Sequence, residues 1–295
     1  MKQMIFRFSL LLILLASGII FALAQTPLSQ IKIAFLDESA SSSKFTEQFS
    51  QNLQQNNFKL LDQDLARAAA NGAKIENPFN LTLDEAKNLA ALIDCNFFFI
   101  IRSETGRRSS FQKDVYFESY AIVFLISAQT GHLLTWTDKH FEADSPASSE
   151  KLLLADAKEI AADFAAKISE TTQRERSMRA DNLTGAVLIE DLPDEQEEEA
   201  ADKKFRVPLP YKRLRPEYTS AAARRSIEAT VDILAELNER GEVTRTEIVR
   251  WAGFELDEAV TNTVRKMQFR PALRDGNPLA IRIVLRYNFR DLQKQ

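Results

Sequence analysis

Between Ile281 and Arg290 the chain alternates with a period of two. Ile281, Ile283, Leu285, Tyr287 and Phe289 fall on one side, and Arg282, Val284, Arg286, Asn288 and Arg290 on the other. This period predicts a strand with one apolar face and one wet face. The same alternation runs through Val231, Ile233, Ala235 and Leu237. After it, Glu239–Val243 reads as a hairpin in which Gly241 supplies the positive φ, and Val243–Trp251 as the returning strand. Leu256, Ala259, Val260, Thr263, Val264 and Met267 then recur with helical spacing. The last 75 residues therefore read as a small α+β unit, a largely antiparallel sheet with helices on one face.

The earlier part of the chain has a different rhythm. Ile31–Asp37 is a compact apolar strand. Ser41 to Ser43 offer N-cap hydroxyls to a helix carrying Phe45, Phe49 and Leu53, and Phe58–Asp62 is a second strand. Thr82 and Glu85 form a capping box ahead of Leu83, Ala86, Leu89, Ala90 and Ile93. The continuously apolar run CNFFFIIR follows, of the kind covered on both faces. Two more strands, VYFESYAIVFLISA and HLLTWTDKHF, flank a Gln129–Gly131 turn, and Lys151–Ile168 is an amphipathic helix. Strand-helix-strand-helix-strand, then a hairpin, then a helix gives an α/β layer structure with a mixed sheet.

Between the two units, residues 172–215 read as a tether. Seven acids lie between Asp191 and Asp202, a like-charge block that repels itself and stays solvated. The next stretch, FRVPLPYKRLRP, is basic and stiffened by Pro208, Pro210 and Pro216. At the start of the chain, Lys2 and Arg7 precede an apolar run that ends in ALAQ. That is the pattern of a secretory signal cleaved after Ala24. Counted from Phe8 through Ala24, the run has seventeen residues, at the lower limit for a bilayer-spanning helix, so an uncleaved anchor is the alternative. The organisation expected is a signal or anchor over 1–24, an α/β domain over 30–171, the tether over 172–215 and an α+β domain over 216–290.

Composition narrows the chemistry. The mature chain would carry 36 basic and 42 acidic residues, which gives no reason to expect nucleic acid or an anionic membrane surface. Cys95 is the single cysteine, so no internal disulfide forms, and no Cys or His cluster suggests a metal. Eight glycines without clustering offer no phosphate loop. His132 and His140 lie in or beside one hairpin strand and read as surface or packing residues. No cofactor and no catalytic residue is expected, and oligomeric state is not legible.

Taken together, Pro216 and Tyr218, Gly241, the Leu256–Ala259 stretch LDEA, and FRPALRDGNPL with Phe269, Pro271 and Gly276 resemble the C-terminal domain of the TonB family of energy transducers. Thr219 stands where that family has a second proline, and Ala229 where it has a glycine before the first strand. The resemblance implies a non-enzymatic cell-envelope protein. Its last strand would take up an extended peptide of an outer-membrane transporter by β-strand addition. The residues this implies for the docking edge are Ala280, Ile281, Arg282, Ile283, Val284, Leu285, Arg286 and Tyr287. Arg282, Arg286 and Arg290 either steer an acidic peptide or act as edge charges that oppose aggregation. An envelope scaffold that uses the domain for self-association or docking is the alternative. Residues 1–24 hold no His of the kind that couples family members to inner-membrane motor proteins, so that partnership is not expected. Periplasmic residence follows from signal cleavage, and an inner-membrane position from an uncleaved anchor. More faintly, residues 30–171 look like the amino-terminal domains of TolB and curli-secretion lipoproteins. That likeness rests on Asp37 ending the first strand, on LLDQDLA, IDCNFFFIIR and SAQTG.

Overall fold

The structure is a computed structural model that describes residues 30–40, 43–109, 114–181, 190–191 and 205–290. The signal or anchor read at 1–24 lies outside the described residues, as do residues 182–189 and 192–204 of the tether. Among the described residues, no helix is long and apolar enough to cross a membrane.

The first unit is built on a five-stranded mixed sheet. In chain order its elements are β1 (Lys32–Asp37), α1 (Lys44–Gln54), β2 (Lys59–Leu60), α2 (Gln63–Gly72), α3 (Leu83–Ile93), β3 (Phe97–Arg108), β4 (Tyr116–Ser127), β5 (Leu133–Ala143) and α4 (Pro146–Asp181). The strands lie in the order β2-β1-β3-β4-β5, parallel across the first three and antiparallel after. The caps form as the sequence predicts. Ser43 accepts from Thr46 N at 3.1 Å, and Thr82 and Glu85 complete their reciprocal box. The α2 helix is not among the expected elements. Asp62 caps it, and it packs through Ala66 and Ala70, residues too small to show as an apolar stripe. The α4 helix runs well past Ile168, to Asp181.

Alternation along these strands divides the core in two. One face, with Phe35, Phe99 and Val123, packs against α1 and α4 through Phe49 and Phe164. The other, with Leu36, Phe98, Ile122 and Phe124, faces α2, α3 and the second unit.

The second unit follows through β6 (Glu190–Asp191), β7 (Phe205–Arg206) and β8 (Leu209–Pro210). It continues with α5 (Ser220–Arg224), β9 (Ala229–Leu237), β10 (Val243–Arg250), α6 (Leu256–Val264), β11 (Phe269–Arg270), β12 (Ala272–Arg274), β13 (Asn277–Leu279) and β14 (Ile281–Phe289). Its main sheet has the order β10-β9-β14-β6. The basic end of the segment read as tether is paired rather than solvated: β7 bonds to β12 and β8 to β11. Both glycine turns are present. Gly241 has φ +77°, and a Cβ there would stand 2.0 Å from the Phe269 carbonyl oxygen. Asp275 and Gly276 both take positive φ in a two-residue β12–β13 loop, the geometry of a type I′ turn.

The two units share one continuous apolar core. Trp251, buried at 1 %, packs on Phe124 with ring centroids 5.9 Å apart, and Phe254 packs on Phe124 and Trp136 at 5.6 and 5.2 Å. Gly253, at φ +68°, lies so close to Phe124 that a Cβ would approach the ring to 2.4 Å. Polar bonds line the same seam. Asn80 donates to the carbonyls of Thr230 and Trp251, both at 2.7 Å, and accepts from Thr230 N at 3.0 Å. Trp251 Nε1 donates to the Gly131 carbonyl at 3.0 Å. Arg225 reaches Glu118 and Asp138 and lies 3.9 Å from the Tyr120 ring centroid.

Candidate functional site

The strand singled out by its alternation is β14. Its inner edge is zipped to β9 over nine antiparallel pairs, from Ile281↔Leu237 to Phe289↔Ala229. Ile281, Ile283, Tyr287 and Phe289 point into the core, and Leu285 is half-buried. Tyr287 donates to the Met267 sulfur at 3.4 Å, and burial holds its phenol above the ordinary pKa. Ala280 precedes the strand proper, between β13 and β14.

The opposite face is an ionic lattice around an exposed valine. Arg286 grips Asp232 of β9 with two bonds, at 2.7 and 2.9 Å, and Arg282 donates to Glu236 at 3.2 Å. Arg250 of β10 reaches Asp232 from the other side at 3.4 Å. Asp232 and Glu236 are themselves only 3 % and 7 % exposed. The arginines therefore serve first as partners for carboxylates that β9 would otherwise bury unpaired. Val284 stands between Arg282 and Arg286 with 58 % of its surface in solvent. The face thus offers apolar contact flanked by cations that keep part of their charge in water.

Among the described residues, the outer edge of β14 carries only β6, which pairs parallel over two residues, Ile281↔Glu190 and Arg282↔Asp191. From Ile283 onward no described strand bonds to that edge.

The remaining motif residues support this strand from below. Tyr218 stacks on Phe289 with centroids 6.3 Å apart and donates to the Ile227 carbonyl at 2.9 Å. Pro216 is half-buried just ahead of it. Thr219, one of the two departures from the family pattern, has a defined task. It caps α5 by accepting from Ala222 N at 3.2 Å and donates to the Phe254 carbonyl at 2.6 Å, next to the seam. Leu256 and Phe269 are buried, and Pro271 separates β11 from β12.

A cleft of about 620 Å³ opens where β5, β10 and α6 approach one another, with His132, Trp136, Glu247, Trp251, Asp257 and Arg265 in its walls. Its polar groups are occupied in holding the fold. Asp257 accepts from Ala252 N and Gly253 N at 2.8 and 3.0 Å, and His132 Nε2 lies 3.4 Å from Glu247. Burial pushes the Asp257 carboxyl up to about 7, against the pull of its two backbone donors. Burial likewise pushes the Cys95 thiol up to about 12, the behaviour of an unreactive packing residue. No group of three or more potential metal ligands occurs among the described residues.

Sequence reasoning missed the residues of the seam and the pairing of Glu190–Asp191. Asn80 gives no sequence signal of its role, because its partners lie 150 and 171 positions away.

Comparison with known proteins agrees with the reading of the second unit. Residues 215–290 match the family model of the Gram-negative bacterial TonB protein C-terminal domain. No curated protein matches the chain significantly. Among solved structures, the hypothetical protein CT253 from Chlamydia trachomatis is 11 % identical, covers 48 % of this chain and 99 % of its own, and gives a TM-score of 0.34. The TonB C-terminal domain from Pseudomonas aeruginosa is 21 % identical over 30 % of this chain and 88 % of its own, at 0.25. The LpoB C-terminal domain from Salmonella enterica is 11 % identical over 37 % and 81 %, also at 0.25. The likeness of residues 30–171 to TolB and curli-secretion domains rests on sequence alone.

Proposed function

We propose that this is a non-enzymatic envelope protein whose TonB-like domain binds an extended segment of a partner by β-strand addition at the outer edge of β14. The observation that carries this reading is the one-sided pairing of β14. Nine residues are fixed on one side by β9, while among the described residues the other side is bonded for two only. An edge of this kind offers main-chain donors and acceptors to an incoming strand. The partner proposed is an N-terminal peptide of an outer-membrane transporter, met in the periplasm after removal of residues 1–24. An uncleaved anchor would place the same domain on the periplasmic face of the inner membrane.

The test is a titration of the full mature chain with extended N-terminal peptides of outer-membrane transporters from the same cell. Each peptide is compared with versions N-methylated at alternate residues. Strand addition predicts that one methylation register abolishes binding and the other leaves it intact, because alternate amides face the domain. Failure of every peptide to bind sinks the reading.

The seam favours a second reading. A TonB-like domain that shares its core with another domain is suited to an envelope scaffold, which docks or self-associates without energy transduction. That alternative predicts that the full mature chain binds none of the transporter peptides yet self-associates in sedimentation-velocity experiments.

A further inference from the structure

We infer that the ribbon formed by β7, β8, β11 and β12 is a docking surface for a bilayer that bears anionic phospholipid. The inference is independent of the docking role of β14 and uses none of that strand's residues.

The ribbon is one antiparallel pairing in a single register. Phe205↔Arg274 and Arg206↔Leu273 continue into Leu209↔Arg270 and Pro210↔Phe269. Pro208 and Pro271, which have no N–H to donate, interrupt the bonding between these pairs but not the register. Pro208, Phe269 and Ala272 are buried and anchor the ribbon to the domain. What it shows to solvent is cationic. Arg206, Lys212, Arg213, Arg215, Arg270 and Arg274 are all exposed, and residues 205–215 and 268–274 contain no acid. The whole chain has a net charge of -4, so this concentration of cations runs against its average. Among the described residues, no carboxylate pairs with Arg206, Lys212, Arg213, Arg215 or Arg270, in contrast to Arg286 on β14. Cations gathered in this way repel one another, and a bound anionic surface relieves that repulsion.

Charge alone would suit any polyanion. The apolar side chains set among the cations select a bilayer. Tyr211 is 66 % exposed and Leu209 50 %. Arg270, opposite Leu209, lies 5.9 Å from the Tyr211 ring centroid, and Arg274 lies 5.5 Å from that of Phe205. An acidic peptide held by its carboxylates needs neither a leucine nor a tyrosine in the open. A membrane interface uses both kinds of group, with basic side chains at the level of the phosphates and apolar ones entering the boundary with the acyl chains. Tyrosine suits that boundary, having an apolar ring and a polar tip.

The test is co-sedimentation of the full mature chain with phosphatidylcholine vesicles, with and without phosphatidylglycerol. Binding is expected only where phosphatidylglycerol is present, and it should weaken as salt is raised. Each cation near such a surface contributes about a factor of five, so Lys212→Gln, Arg213→Gln and Arg215→Gln together should weaken binding about 100-fold. Thermal melts check the triple variant, and Lys212→Gln alone, at about 5-fold, replaces it if it melts early. Tyr211→Trp keeps every cation and reports on the site itself, because its emission should shift to the blue when phosphatidylglycerol vesicles are added. Absence of binding, equal binding to both kinds of vesicle, undiminished binding of the charge variants or unshifted emission from position 211 overturns the inference. A soluble polyglutamate peptide is titrated in parallel. If it binds through the same three cations while the vesicles do not, the ribbon takes an acidic protein segment and the lipid proposal falls.

Discussion

Arg225 holds both carboxylate oxygens of Asp138, Nη2 to Oδ1 at 2.7 Å and Nε to Oδ2 at 3.0 Å, across the seam between the two sheets. Both side chains are almost wholly buried, at 6 % and 3 % exposure. The pair is joined by Glu118, 3.0 Å from Arg225 Nη1.

Removing one member of such a pair leaves a buried charge without its partner. Arg225→Met is expected to destabilise the folded chain by about 3–5 kcal/mol. Because the two units share one core, the loss should appear as a shift of one cooperative transition. Urea unfolding followed by tryptophan fluorescence, with Trp136 and Trp251 both at the seam, measures it. Two separate transitions in the parent chain would mean that the seam does not couple the units.

The wet face of β14 should behave differently despite equally good geometry. Arg286 meets Asp232 at 2.7 and 2.9 Å, yet 64 % of the Arg286 side chain is exposed, so water and salt compete for it. A double-mutant cycle over Arg286→Ala and Asp232→Ala should give a coupling below about 1 kcal/mol, falling further in high salt. A coupling of several kcal/mol would show that this lattice is shielded by something bound over it.

Two glycines with nearly the same φ give an internal comparison. Gly276→Ala places a Cβ in open space and should cost only the left-handed backbone penalty, about 1–2 kcal/mol. Gly241→Ala brings the same penalty and a clash with the Phe269 carbonyl; relieving it disturbs the 2.9 Å bond that Phe269 N donates to the Gly241 carbonyl. The expected loss is about 3–4 kcal/mol. Equal midpoints for the two variants would place the β9–β10 turn away from β11.

His132 gives the fold a pH dependence. Burial holds its pKa below the ordinary imidazole value, while Glu247 pulls the other way. The folded state therefore binds this proton less readily than the unfolded state does. Stability contributed by neutral His132 is full above about pH 6.5 and declines as pH falls from there toward the depressed folded value. His132→Gln should flatten the stability profile between pH 7.5 and 5.5 relative to the parent, as read from urea midpoints. Parallel profiles would mean that His132 titrates freely.

Local rules made much of the second unit legible. The alternation at Ile281–Phe289, the turns at Gly241 and Gly276 and the burial of Phe269 follow from residues close together in sequence. In the first unit the same holds for the Thr82–Glu85 cap and the Phe97–Ile101 run. The α2 helix escaped notice because its buried contacts are alanines. The pairing of β6 escaped notice because seven acids beside a short apolar run dominate the composition. The seam was least legible of all. Asn80, Arg225 and Trp251 act on groups 87 to 171 positions away, and such meetings arise from how two sheets pack rather than from any local pattern.

Where Gly253 lies against the Phe124 ring, neither residue is free to vary alone. A side chain at 253 requires a smaller residue at 124, and shrinking Phe124 opens a void beneath Trp251. The C-terminal unit is thereby matched to this particular N-terminal sheet. A chimera carrying the same segment grafted behind an unrelated domain would inherit an exposed Trp251 and Phe254. The two halves are bound to diverge as a pair.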